Sequence, residues 1–151
     1  MNLLKSVLII ALFSTTVRAE PPKPVNITVY RSPSCSCCGK WLDHLKANNF
    51  NVKDIMTEDV LAIKQKSGVS DNLASCHTAL VDHYVIEGHV PANDIMKLLK
   101  SKPKVIGLAV PGMVNGSPGM EMGEHKNAYE VVSFDKDQKT AVFSSYAESN
   151  N

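Results

Sequence analysis

Apolar and polar positions recur with two different periods along the chain, and the change from one to the other marks the elements. Val25–Tyr30 (VNITVY) alternates and is β-branched, which predicts a strand. From about Cys38 to Asn48, Trp41, Leu42 and Leu45 fall on one face of a short helix. Asn51–Ile55 predicts a second strand. Thr57 reads as an N-cap, with Glu58 and Asp59 in the first turn, where the helix dipole favours acids. Lys64 and Lys66 close that helix and Gly68 reads as its C-cap. Thr78–Val81 and Tyr84–Glu87 predict two strands joined by a tight turn at Asp82-His83. Pro91 then opens a third helix with an Ile95, Leu98, Leu99 stripe, and Pro103 ends it. Met56 and Met96 read as core residues of their elements.

The order β-α-β-α-β-β-α, with cysteines between the first strand and the first helix, predicts a thioredoxin-like α/β domain. Beyond it, Val105–Val110 is a fully apolar strand. Tyr129–Phe134 and Thr140–Tyr146 predict a hairpin through Asp135–Lys139, giving the domain a C-terminal β extension. Between them lies a Met/Gly-rich loop, Pro111–Lys126 (PGMVNGSPGMEMGEHK). Loops of this length inside a compact domain are usually functional or disordered, and three methionines in a glycine-rich loop are not needed for packing.

The N-terminus reads as an export signal. Lys5 precedes the short apolar run Ser6–Phe13 (SVLIIALF), and Val17-Arg18-Ala19 offers a cleavage site. The run is well below the ~20 residues of a membrane span. The expected division is therefore residues 1–19 signal peptide, 20–24 Pro-rich lead-in and 25–151 a single thioredoxin-like metal-binding domain. Cleavage would leave 14 basic against 15 acidic residues, a net charge of −1. No basic face is available to neutralise phosphates, so no nucleic-acid partner is expected, and no membrane span remains after cleavage. The expected location is periplasmic.

Chemistry concentrates at the cysteines. Cys35-Ser36-Cys37-Cys38 contains a C-x-x-C at a helix N-terminus, where the dipole and free N–H groups lower thiol pKa values. Cys37 breaks the simple dithiol pattern and turns the stretch into a compact soft-donor cluster of the kind Cu(I) or Zn(II) seeks. In a thioredoxin-like fold the loop entering the third strand lies beside the first helix. Ser75-Cys76-His77-Thr78 occupies that loop, so Cys76 and His77 are expected to face Cys35–Cys38. Zinc gains little from thioethers, whereas Cu(I) accepts Cys and Met. Met113, Met120 and Met122 therefore tilt the expected ion toward copper. Four thiolates would balance up to about four Cu(I) ions, which admits a multinuclear cluster.

Several stretches resemble the CopG-type periplasmic copper-resistance proteins, a family of small thioredoxin-like proteins. They are Ser34–Gly39 (SCSCCG), Ser75–Ala79 (SCHTA), Glu87–Ala92 (EGHVPA), Gly107–Met113 (GLAVPGM) and Gly116–Gly123 (GSPGMEMG). The resemblance implies copper binding through the cysteine motif and a role in copper redox handling. It supports Cys35, Cys37, Cys38 and Cys76 first, then Met113 and Met120, then His77. His83 departs from the glycine the pattern would put in the strand turn.

Three functional readings stay open. The first is an exported copper-resistance protein that holds Cu(I) and interconverts Cu(I) and Cu(II), with a periplasmic efflux or oxidase partner. The second is a thiol–disulfide oxidoreductase using Cys35 as nucleophile and Cys38 as resolving thiol. The third is a passive copper chaperone to an efflux partner. No hydrolase triad, phosphate loop or dinucleotide fingerprint is present. The bland assignment for Cys35, Cys37 and Cys38 is a structural disulfide, Cys35–Cys38, plus a spare thiol. Met113, Met120 and Met122 could equally fill gaps beneath the loop. Among the other histidines, His44 is expected to be solvated, His83 to sit in a turn, His89 to be structural and His125 to be exposed.

Overall fold

A computed structural model describes residues 22–150. The predicted signal peptide, 1–19, lies outside them, as do Glu20 and Pro21 of the lead-in. Pro22–Pro24 are exposed and irregular, and the Pro22 carbonyl accepts a hydrogen bond from Asn49 Nδ2 at 3.1 Å. Among the described residues no helix is long and apolar enough to cross a membrane.

The chain is mixed α/β. In order it forms β1 (Val25–Arg31), α1 (Ser36–Ala47), β2 (Phe50–Met56), α2 (Val60–Lys66), β3 (His77–Val81) and β4 (Tyr84–Glu87). There follow α3 (Ala92–Ser101), β5 (Gly107–Ala109), β6 (His125–Lys126), β7 (Tyr129–Phe134), β8 (Thr140–Tyr146) and β9 (Ser149–Asn150). Seven strands make one sheet in the order β2-β1-β3-β4-β5-β7-β8, while β6 and β9 pair separately. β1 is parallel to β2 and antiparallel to β3; β4 is parallel to β5. Consequently β1, β4 and β5 all point their carboxyl ends to one edge of the sheet, the place where loops commonly carry a site.

The two faces of the sheet follow from strand alternation. Ile27, Val29, Ala79, Val81, Tyr84 and Ile86 pack with Trp41, Leu42 and Leu45 of α1 and Ile95 and Leu98 of α3. Each fully buried Leu or Ile here contributes roughly 1.5–3 kcal/mol. A smaller cluster, Val69, Leu73, Val85, Ala109 and Phe134, covers the opposite face beside α2. The predicted hairpin Tyr129–Phe134/Thr140–Tyr146 forms with the expected bounds.

Several expectations need correction. α1 begins at Ser36, so Cys37 and Cys38 lie inside its first turn. α2 begins only at Val60: Thr57 Oγ1 accepts the Asp59 N–H at 3.1 Å, closing a local turn ahead of the helix. The strand expected over Val105–Val110 shortens to Gly107–Ala109. Met56 and Met96 are exposed, not core: Met56 ends the edge strand β2, and Met96 faces away from the Ile95/Leu98 stripe. The end of the long loop is tied down where no strand was expected, because His125–Lys126 pairs with Ser149–Asn150.

Candidate metal centre

Cys35 is the N-cap of α1 and makes no side-chain cap bond. The helix start exposes unpaired N–H groups and the positive end of the dipole, both of which favour thiolate. Cys35 and Cys38 are joined in a disulfide, and Cys35 Sγ lies 3.5 Å from Cys37 Sγ. Cys37 and Cys76 are free thiols. The sulfurs of Cys35, Cys37, Cys38 and Cys76 all lie within 4.8 Å of one another. The pairing expected for a bland disulfide is thus present, inside a four-sulfur cluster.

The segment before β3 carries Cys76, and β4 presses it into place. Gly88 has φ +71°, a left-handed conformation that favours glycine. A Cβ there would meet the Ser75 side chain at 2.6 Å and the Val110 carbonyl at 2.7 Å. The Gly88 N–H donates to the His77 carbonyl at 3.0 Å. Continuing the hairpin register in which Thr78 faces Glu87 puts Cys76 opposite His89.

His89 is buried, with Nε2 3.1 Å from Cys76 Sγ and Nδ1 2.7 Å from the Pro118 carbonyl. A carbonyl only accepts, so Nδ1 carries the proton and Nε2 presents its lone pair to the sulfur. His89 thus links Cys76 to the Pro118 segment of the methionine loop. His77 Nδ1 lies 3.4 Å from the same sulfur, and its ring packs on Trp41 at 4.3 Å and edge-on to His89 at 4.9 Å. His77 Nε2 is buried with no hydrogen-bond partner. Burial first, then His89 and Lys64, push the His77 pKa well below the usual imidazole value; burial also lowers that of His89. Both shifts favour the neutral ring. Burial, reinforced by nearby Cys37, pushes the Cys76 thiol up to about 11. Cys76, His77 and His89 form a second group whose donor atoms lie within 4.8 Å of one another. The site is thus a sulfur-rich set with neutral imidazoles on one flank, suited to a soft ion.

The methionines divide. Gly119 packs so closely on the start of α1 that a Cβ would lie 2.6 Å from the Trp41 N. This docking brings Met120 and Met122 to a shallow cavity of about 220 Å³ shared with Ser36, Cys37 and Lys40. Met120 is buried and Met122 exposed, on opposite sides of the loop. Met113 is exposed and does not line that cavity; it follows Gly112, whose N–H and carbonyl bond Ala74 O and Ser75 Oγ. His125 is exposed and His83 sits at the β3–β4 turn, as expected. His44 is not fully solvated: its Nε2 accepts the Ala92 N–H at 3.0 Å.

Two solved structures resemble this one across nearly their whole length, forms 1 and 2 of a copper resistance protein CopG. Each is 44% identical and 99% covered, with 83% and 82% of this chain aligned and TM-scores of 0.78 and 0.79 respectively. The chain belongs to the CopG family. A family described as a protein of unknown function, DUF411, matches residues 73–120, the stretch from the Cys76 segment through Met120. A comparison with curated proteins finds no match. As in the sequence expectation, the CopG-family chain groups cysteines and histidines in a manner compatible with metal binding.

Proposed function

We propose that this CopG-family chain is an exported copper-resistance protein that holds Cu(I) through Cys35, Cys37, Cys38 and Cys76. The observation carrying the reading is the four sulfurs within 4.8 Å. Four soft donors this close suit Cu(I) better than a hard ion, and sulfur can bridge several ions, so a multinuclear cluster is the preferred form. His77 and His89 are the imidazole donors, Met120 and Met122 serve beside Cys37, and Met113 serves at the rim. The order β2-β1-β3-β4, with a parallel first pair and an antiparallel second, supports a single thioredoxin-like domain over residues 25–151. Residues 1–19 act as a cleaved signal that directs the chain to the periplasm, where an efflux or oxidase partner receives copper.

The same sulfurs give the chain a redox capacity. Forming the Cys35–Cys38 disulfide from two thiols releases two electrons and two protons, enough to reduce two Cu(II) ions to Cu(I). Metal binding requires the reverse, an open dithiol. A second reading, thiol–disulfide oxidoreductase, is favoured by that disulfide itself. A passive chaperone would hand over copper without any change in oxidation state. One pair of assays separates the first two readings: insulin reduction, and Cu(I) titration against a chromogenic chelator, each with wild type and Cys35→Ser. The copper reading predicts negligible insulin turnover and a loss of Cu(I) capacity in the variant. Insulin turnover abolished by the substitution, with Cu(I) capacity unchanged, would establish the oxidoreductase instead.

A further inference from the structure

We propose that Glu87, braced by Lys64, is a positioning residue that sets how Cys76 faces the other three sulfurs. The inference rests on the metal-binding reading and adds to it a strut that touches none of the sulfurs. Glu87 is fully buried and Lys64 nearly so. Lys64 Nζ donates to Glu87 Oε1 at 2.5 Å and to Thr78 Oγ1 at 3.1 Å; Thr78 Oγ1 donates to Glu87 Oε2 at 2.7 Å. The remaining contact leaves this triad: the Ser75 N–H donates to Glu87 Oε1 at 2.6 Å.

A buried ion pair is a poor source of stability, since apolar groups of similar volume often do as well or better. Its geometry is more telling. Lys64 comes from α2, Thr78 from β3 and Glu87 from β4, so the carboxylate is fixed by three elements before it reaches the residue preceding Cys76. Gly88 then lets the backbone approach Ser75, and His89 meets Cys76 Sγ. Three consecutive residues, Glu87-Gly88-His89, thus hold the segment at its amide, its backbone and its sulfur. Outer-shell supports of this kind orient the donors they stand behind.

The test compares Lys64→Met/Glu87→Leu with Lys64→Met/Glu87→Gln. Both remove the charge pair together, so neither leaves a lone buried charge. Only the glutamine retains an oxygen for the Ser75 N–H. In the reduced, metal-free chain, alkylation of Cys76 is timed and located by peptide mass spectrometry. Cu(I) affinity is then measured by chelator competition, with the thiolate-to-copper ultraviolet band as spectroscopic signature. The leucine variant should alkylate at Cys76 several-fold faster and lose about tenfold or more in Cu(I) affinity, with four thiols still counted. The glutamine variant should restore both. A leucine variant equal to wild type in both readouts overturns the proposal. Should wild type bind no Cu(I), the copper reading fails while the Cys76 alkylation rates still decide the strut. Should the leucine variant not fold, hydrogen exchange at the wild-type Ser75 amide decides: protection like that of strand amides supports the strut, and exchange at open-loop rates overturns it.

Discussion

His44 stands half-buried on α1, and its Nε2 accepts the N–H of Ala92, the first residue of α3. The bond requires a neutral ring. Burial lowers the His44 pKa, opposed in part by Glu121. A base whose folded pKa is depressed stabilises the fold fully above its unfolded value and loses that contribution as pH falls through it. Urea midpoints should therefore be lower at about pH 5.5 than at about pH 7.5, and His44→Gln should shrink the difference. His77 and His89 shift in the same direction, so some decline should survive the substitution. A midpoint unchanged or higher at the acid value would contradict this account. Residue roles were unevenly legible. The cysteines announced themselves by spacing, and Cys76 by the loop it occupies. His89 could have been found by extending the Asp82-His83 hairpin register until Cys76 had a partner. Nothing local in the sequence marks Lys64 as buried, because its ion pair is made with a residue 23 positions away.

Among the elements, β8 is fastened to α3 by the Asp94 carboxylate and by Lys97, whose Nζ donates to the Phe143 carbonyl at 3.3 Å. Asp94, buried on the first turn of α3, accepts from Ser144 Oγ at 2.5 Å and from the Tyr146 hydroxyl at 2.7 Å. Tyr146 stacks on Tyr129 with centroids 4.6 Å apart. Burial first, then the Asp94 charge, push Tyr129 up to about 12; burial and the hydrogen bond to Asp94 push Tyr146 higher still, which keeps its hydroxyl a donor. Asp94→Ala should cost about 2–3 kcal/mol, as expected when two hydrogen bonds to a charge are lost. Chemical denaturation would measure it. Reactivity of Cys37 and Cys76 in the folded variant should match wild type, because this fastening lies apart from the sulfurs. Disturbed thiol reactivity would show that the C-terminal hairpin also shapes the centre. Strands with clean alternation were legible from sequence almost to the residue, as Tyr129–Phe134 and Thr140–Tyr146 illustrate. Ends fixed by side-chain turns were not: Thr57 offered a good cap, but spent its oxygen on Asp59 ahead of the helix. The β6–β9 pair was hidden too, since two-residue strands carry no periodicity.

Across the whole molecule, the sheet gathers the chemistry at one edge. The carboxyl ends of β1, β4 and β5 release the loops bearing Cys35–Cys38, Gly88–Pro91 and the methionine loop, and β3 starts there at His77. Sequence order conveyed this much, because a parallel β1–β2 pair and a β3–β4 hairpin leave few ways to fold back. What it did not convey was the oxidation state of the sulfurs. Spacing alone fits an open dithiol as well as the Cys35–Cys38 disulfide. The central claim is that four sulfurs from two segments hold copper together. Native mass spectrometry tests it most directly, on the reduced chain loaded anaerobically with Cu(I), followed by counting of alkylatable thiols. The account predicts several coppers per chain, with all four cysteines closed to alkylation until a chelator removes the metal. A single copper would remove the multinuclear cluster. A chain that retains no copper and alkylates freely at Cys76 would contradict the central claim.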